Sequence, residues 1–405
     1  MKKFIMYGAG NIGRGFIGPT FSLSGYSVGF IDINQEVIGR LNSDKEYPVD
    51  VVSGDEVETL NISNVYGING NDIELVSNEI AECDVMATAI GVNVLKFIAK
   101  PIAEGIKKRF LKGAKPLNII ICENLIGADE YLKGLIKAQL PEYAEKIENE
   151  IGFVEASIGR MVPALSEEKK KGNPLRVAVE PYNILPVDKN AFKGEIPQVK
   201  NLYPYSPFNL FIQRKLFMHN MSHALTAYLG NLKGYEFIYQ AIADYDIRYG
   251  ALRALTQSAQ AIAKENQADM SFLISHAENL LYRFTNKALQ DTVERVGKDT
   301  IRKLSENDRL IGAINLCEKH GVNCEYLCLG VAAGMLFNPS NDERSIELKA
   351  YADENGVIST LEKYSNYTGK NAELIKTLYD YLKQGTSLYE ILNYCDYIAG
   401  KTIRV

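Results

Sequence analysis

The chain has 405 residues, of which 46% are hydrophobic and 23% charged, and its formal net charge is −5. That balance belongs to a globular protein, and the length favours two domains over one core. The negative charge gives no electrostatic case for nucleic acid or an anionic membrane, and no stretch approaches the roughly 20 apolar residues that span a bilayer.

At the N-terminus, Lys2 and Lys3 precede an apolar run that stops at Gly8 and Gly10, too early for a signal peptide. Six cysteines are few for the length and sit mostly among apolar residues. The expectation is a cytoplasmic protein with reduced thiols and no disulfide framework.

Residues 3–7 read as a buried parallel strand, followed at once by Gly8, Ala9, Gly10, Asn11, Ile12 and Gly13. A helical pattern and a second apolar run, 26–31, come next, and that run ends in Asp32. This is G-x-G-x-x-G with its strand before, its helix after and an acid about 20 residues on, the context that a dinucleotide site requires. The glycines permit the turn, the approach of a pyrophosphate and close helix packing, and the helix N-terminus supplies N–H groups to the phosphates. Asp32 suits two ribose hydroxyls and repels a 2′-phosphate, and no arginine follows it directly, so NAD is favoured over NADP. Arg14 opposes the helix dipole; either an anion lies nearby or the side chain extends into solvent.

Residues 43–80 hold short strand-like pieces, 49–52 and 73–76, read as an insertion or an antiparallel extension of the sheet. Further strands are expected at 85–89 and 117–122. Thr88 and Asn124, at or just beyond their carboxyl ends, are candidates for the nicotinamide end of the crevice, with simple strand-end capping as the alternative. Residues 152–156, 175–179 and 184–187 complete the strands. The charge run 167–172 reads as a solvated loop.

Beyond about residue 200 helical periodicity takes over, as in 251–263 and 272–281, with 201–207 as the join. The expected fold is α/β: an extended Rossmann domain with strand insertions over 1–200, then a mainly helical domain over 201–405. In 207–230, Pro207 suits a first turn and Gly230 a helix end. Lys215, Asn220 and His223 lie on this helix at about 0°, 140° and 80°, and His219 at about 40°. One face can present them to a small molecule; the structural alternative is a snorkelling lysine, an exposed amide and a core histidine.

Arg295, Arg302, Lys303 and Arg309 can grip an anion or form surface ion pairs with Glu294, Glu306 and Asp308. Cys317, His320, Cys324 and Cys328 have metal-ligand identities, but no C-x-x-C knuckle occurs and the run around Cys328 looks like packed helix, so no metal is expected.

Six segments, GAGNIGRGFIG (8–18), LNIIICEN (117–124), RMVP (160–163), RKLFMHNMSHALTAYLG (214–230), DTVERVG (291–297) and RKLSENDRL (302–310), occur in an order that resembles the long-chain polyol dehydrogenases, the mannitol dehydrogenase family. The resemblance implies a metal-independent, NAD-dependent hydride transfer between a sugar-alcohol phosphate and a ketose phosphate. It further implies Lys215 as general base, Asn220 and His223 orienting the reacting oxygen, and Asn124, Arg295 and Lys303 contacting substrate. Geometry alone leaves His219 a rival base. Two positions depart from the family's usual pattern: Gly159 stands where an aspartate is usual before Arg160, and Asn286-Lys287 where Asn-Pro is usual. The alternatives are a dehydrogenase of another polyol or hexuronate-derived acid, and a dinucleotide-binding sensor without turnover. Oligomeric state is not legible in the sequence.

Overall fold

The computed structural model describes residues 1–402, which divide into two units, Met1–Phe208 and Asn209 onward. The strands of the first unit are β1 (Lys3–Tyr7), β2 (Ser27–Asp32), β3 (Glu46–Ser53), β4 (Glu56–Ser63), β5 (Val65–Asn69), β6 (Val85–Thr88), β7 (Leu117–Ile121), β8 (Ile151–Glu155), β9 (Val177–Val179), β10 (Leu185–Asp188) and β11 (Leu202–Tyr205). A six-stranded parallel sheet runs in the order β5-β2-β1-β6-β7-β8. Along β1, Phe4 and Met6 join one core with Phe16, Phe21 and Phe30, while Ile5 and Tyr7 join another with Ile98, Ile102 and Ile119. Both faces are buried, which is why these strands read as unbroken apolar runs. The order reverses between β1 and β6, and a doubly wound sheet opens its ligand crevice there, beyond the strands' carboxyl ends.

Two local readings are corrected, and a third is decided between its alternatives. In 43–80 the insertion holds and the antiparallel extension does not: β3 and β4 form a hairpin that pairs with β9 in a separate sheet, while β5 joins the main sheet in parallel. Residues 73–76 are not a strand but the start of a helix, Ile73–Glu82. Asp72 caps it by accepting from Leu75 N at 2.9 Å, and Val76, Ile80 and Ala81 are buried at helical spacing, a period too long for a four-residue window to display. The charge run contains one exposed helical turn, Glu167–Lys170, capped by Ser166.

In the second unit the helix Glu325–Leu336 is buried from Glu325 through Met335. A helix without a polar face belongs at the centre, and this one packs against Met221–Leu232, Tyr245–Asn266, Ile311–Lys319, Glu343–Ser365, Ala372–Lys383 and Leu388–Thr402. All six cysteines are buried free thiols. Among the described residues no group of three His, Cys, Asp or Glu side chains is arranged to hold a metal ion, and no helix is long and apolar enough to cross a membrane.

The helical stretch expected over 207–230 begins at Asn209, and Pro207 follows a cis peptide bond instead of opening the first turn. It continues to Leu232. Gly230 does not end it. A Cβ there would come within 2.8 Å of Ala241 Cβ, so the glycine admits the neighbouring helix Ile238–Ala243. Chain reversal falls to Gly234, at φ 77°.

Candidate active site

The switch-point loop shows what each glycine is for. Gly8 has φ +109°, and a Cβ on it would lie 2.5 Å from Ala89 O, so only glycine lets the loops after β1 and β6 touch. A Cβ on Gly13 would strike Gly8 O at 2.1 Å. Gly10 has no protein atom within 4 Å of that position. Nothing in the protein demands a glycine there, whereas a pyrophosphate lying against the backbone does. Asp32 accepts from Ala9 N at 2.8 Å and from Asn34 N at 3.0 Å, tying the end of β2 to the phosphate loop. Asn11 and Ile12 sit half-buried on the helix that follows. The residues present therefore fit a dinucleotide.

Arg14 does not extend into solvent. It is 7% exposed and donates to Ala9 O at 2.7 Å, Pro174 O at 3.1 Å and Leu175 O. With Asn11, Lys170 and Arg176 it lines a cavity of about 110 Å³ beside the loop.

At the end of β6, Thr88 is fully buried and its Oγ1 has no partner. Asn124 is exposed just beyond β7. Its neighbour Glu123 accepts from Ile90 N at 3.1 Å and Gly91 N at 2.9 Å, fastening the loop after β6. At the end of β8, burial pushes the Glu155 carboxyl up to about 7, with Asp129 adding to it. Arg160 is structural: it donates to Glu180 O at 2.9 Å and Gly15 O at 3.3 Å. A Cβ at Gly159 would lie 3.1 Å from Tyr182 Cε1, so the tyrosine ring occupies the space into which a side chain at 159 would grow.

In the second unit the helix carrying Lys215 is irregular over its candidate residues. From Arg214 to Asn220 it is a π-helix, and Met221 N–H reaches back five residues to Leu216 O. Such a turn advances about 80° per residue instead of 100°. From Lys215 at 0°, Asn220 then falls at about 40° and His223, three α-helical steps on, at about −20°. The spread narrows from the 140° of a regular helix to about 60°. Lys215, Asn220 and His223 are all half-buried, while Arg214, Met218 and His219 are buried.

The charge of Lys215 reaches His219, His223 and His276. Burial drives the pKa of His219 and His276 well below the usual histidine value, and nearby Lys215 and Arg283 push in the same direction. Both are neutral near pH 7 and His219 is a weak base. His223 stacks on Phe284 with ring centroids 4.8 Å apart.

Asp291, which the sequence reading passed over as a partner, joins His223 to Arg295. Its carboxylate accepts from Arg295 Nε at 2.7 Å and from Nη2, and its Oδ2 lies 3.2 Å from His223 Nε2. That second approach is too oblique for a good hydrogen bond, and burial lowers the His223 pKa, so the neutral ring meets the carboxylate with its Nε2 side. Burial works against the Asp291 carboxylate, but His223 and Arg295 outweigh it and hold its pKa below the usual range. The pairing follows the i, i+4 spacing from Asp291 to Arg295, which is visible in sequence. Glu123 could have been found the same way, as an acid at a strand end. Lys303 stands in a separate charge cluster. Its Nζ donates to Val296 O, and burial pushes its pKa down to about 7, reinforced by Arg309 and Arg302. Arg302 pairs with Asp299 and Asp308 and Arg309 with Asp308, so the ion pairs expected here form, but with Asp299 in place of Glu294 and Glu306.

Residues 2–201 match the mannitol dehydrogenase Rossmann domain, and residues 208–390 the mannitol dehydrogenase C-terminal domain. The mannitol-1-phosphate 5-dehydrogenase of Caldanaerobacter subterraneus subsp. tengcongensis is 35% identical over 358 residues, 88% of this chain and 92% of that protein. Among solved structures, a D-sorbitol dehydrogenase in substrate-free form has a TM-score of 0.79 at 15% identity, covering 94% of this chain and 92% of that one. Pseudomonas fluorescens mannitol 2-dehydrogenase, solved as a ternary complex with NAD and D-mannitol, has a TM-score of 0.76 at 16% identity, covering 97% and 94%. The chain belongs to the mannitol dehydrogenase family of NAD-dependent polyol dehydrogenases.

Proposed function

We propose that this enzyme interconverts mannitol 1-phosphate and fructose 6-phosphate by NAD-dependent hydride transfer, with Lys215 as the general base and no catalytic metal. The observation that carries the reading is the wide turn, which narrows the spread of Lys215, Asn220 and, just beyond it, His223 around their helix, all three half-buried. The phosphorylated substrate is supported by the 35% identical relative named for it, and Asn124, Arg295 and Lys303 are its proposed contacts. Arg295, 60% exposed, is suited to an anion's oxygens.

Bound NAD supplies the hydride acceptor. The polyol hydroxyl must lose its proton as the hydride leaves carbon, and a lysine can take that proton only when neutral. Half-burial of Lys215 and the positive nicotinamide of bound NAD are the proposed sources of that neutrality. His219 is the poorer base, since burial depresses its pKa and Lys215 and Arg283 add to that. Asn220 donates its amide N–H to the oxygen on which charge develops. Asp291 beside Nε2 of His223 favours a proton on that nitrogen, leaving Nδ1 to accept from a polyol hydroxyl next to the reacting one, whose own proton goes to Lys215. Gly8, Ala9, Gly10, Asn11, Ile12 and Gly13 take the pyrophosphate, Asp32 the ribose, and Thr88 and Asn124 the nicotinamide end. The cytoplasm is the proposed location, where the buried thiols stay reduced.

Replacing Lys215 with alanine is expected to lower kcat by roughly 10²- to 10⁴-fold while NADH binding, read by fluorescence titration, is kept; wild-type turnover would end the base assignment. A panel of fructose 6-phosphate, fructose, tagaturonate and fructuronate with NADH and NADPH tests the substrate. Activity confined to the unphosphorylated acids would replace the phosphate with a carboxylate, a reading that Gly159 under Tyr182 keeps alive by leaving no carboxylate of its own at that position. Binding of NADH without turnover on any substrate would make the chain a sensor.

A further inference from the structure

A π-turn leaves one backbone carbonyl without its helical donor, and a buried carbonyl needs another. Here it is Phe217 O: Met221 N–H, which would reach it in a regular helix, bonds to Leu216 O and Met218 O instead. Ser258, on the helix Tyr245–Asn266, fills the gap by donating its hydroxyl proton to Phe217 O at 2.6 Å. The serine is 1% exposed. On the other side of the same residue, a Cβ on Gly312 would strike Phe217 Cε1 at 2.7 Å, so that glycine makes room for the ring. Ser222, fully buried, marks the return to α-helix by bonding to Met218 O at 2.7 Å.

We propose that Ser258 is a positioning residue for the reaction: its hydroxyl holds the wide turn that keeps Lys215, Asn220 and His223 on one face. The hydrogen bond of Ser258 goes to a backbone carbonyl, not to any of the three side chains. It acts on them through the Phe217 carbonyl, and it matters to turnover only if Lys215 is the base, as read above. Without the hydroxyl, Phe217 O regains a donor most simply by taking back Met221 N–H. That step turns the segment into ordinary α-helix and swings Asn220 from about 40° to about 140° away from Lys215.

The test compares Ser258→Ala, Ser258→Cys and Ser258→Thr with wild type and with Lys215→Ala. Cysteine is near the size of serine but a weak donor, so it reads the hydrogen bond even where alanine fails to fold; threonine restores the hydroxyl. For Ser258→Cys the expected result is a kcat lower by roughly 10- to 100-fold, a displaced pH profile of kcat, and an unchanged dissociation constant for NADH. Ser258→Thr should recover most of the rate. Wild-type kcat in Ser258→Cys, or equal impairment in the cysteine and threonine variants, overturns the proposal. The base reading fails separately, through wild-type turnover in Lys215→Ala. An inactive Lys215→Ala beside a fully active Ser258→Cys removes the positioning role alone.

Discussion

Replacing Lys303 with methionine should make the protein more stable and less able to bind substrate. Lys303 is 6% exposed, and burial lowers its pKa from 10.5 to about 7. The difference of about 3.5 units, at about 1.4 kcal/mol each, sets a ceiling near 5 kcal/mol on what the buried ammonium costs the fold. Methionine keeps the apolar stem and removes the charge, but Val296 O loses its donor, which returns about 1–3 kcal/mol. The net gain at pH 7 is at most about 2–4 kcal/mol. The pH dependence identifies the cause. Between pH 7 and 10.5 the unfolded chain holds a proton on this lysine that the native protein has released, so wild-type stability rises with pH across that window. Below pH 7 both states are protonated and the penalty is complete. Urea denaturation followed by circular dichroism at intervals from pH 6 to 10 measures both effects. In the methionine variant the added stability should be largest at pH 6–7 and shrink towards pH 10. A variant less stable than wild type at pH 7, or one that keeps the wild-type slope, would refute the reasoning. A raised KM for substrate with unchanged NADH affinity is the expected functional cost.

Replacing Asp32 with serine should relax cofactor choice. Two like charges about 4 Å apart in a surface crevice repel by about 4 kcal/mol, so the carboxylate disfavours a 2′-phosphate by roughly 10²- to 10³-fold; fluorescence titration should show NADPH gaining most of that, and unchanged NADPH affinity would remove Asp32 as the discriminator. NADH should loosen modestly, since Ala9 N and Asn34 N lose their acceptor. Glu155→Gln should stabilise the first unit above neutrality. Its native pKa of about 7 lies above the ordinary 4.5, so stability is lost as pH rises from 4.5 to 7, and the variant should gain about 1–3 kcal/mol at pH 8 and nothing near pH 4. An identical pH profile of thermal stability in the two proteins would contradict this.

Much of the fold was legible because burial on both faces forces continuous apolar strands. Lys3–Tyr7 and Leu117–Ile121 stood out for that reason. β5 escaped: Val65–Asn69 has glycine at its centre, and its place beside β2 follows from tertiary pairing that no five-residue window encodes. Residues 73–76 failed differently. Four residues hold barely one helical turn, and the signal that decides the case, Asp72 as cap with Ile80 and Ala81 buried further on, lies outside the apolar run.

The site divides along the same line. The phosphate loop is a local device, so its glycines, its strand and Asp32 can be recognised together, and the structure adds only that Gly10 has no protein neighbour to account for it. The face of the second unit's helix is not local. Periodicity identifies the helix by assuming 100° per residue, and that same assumption sets Asn220 about 140° from Lys215. The wide turn that brings them together depends on a hydroxyl 41 residues beyond Phe217 and on the room left by Gly312, neither of which alters the apolar pattern. A reactive face can be read from spacing only where the helix is regular. Here the irregular seven residues, Arg214–Asn220, include Lys215 and Asn220 themselves, so the spacing that located the helix was least accurate at the positions proposed to carry turnover.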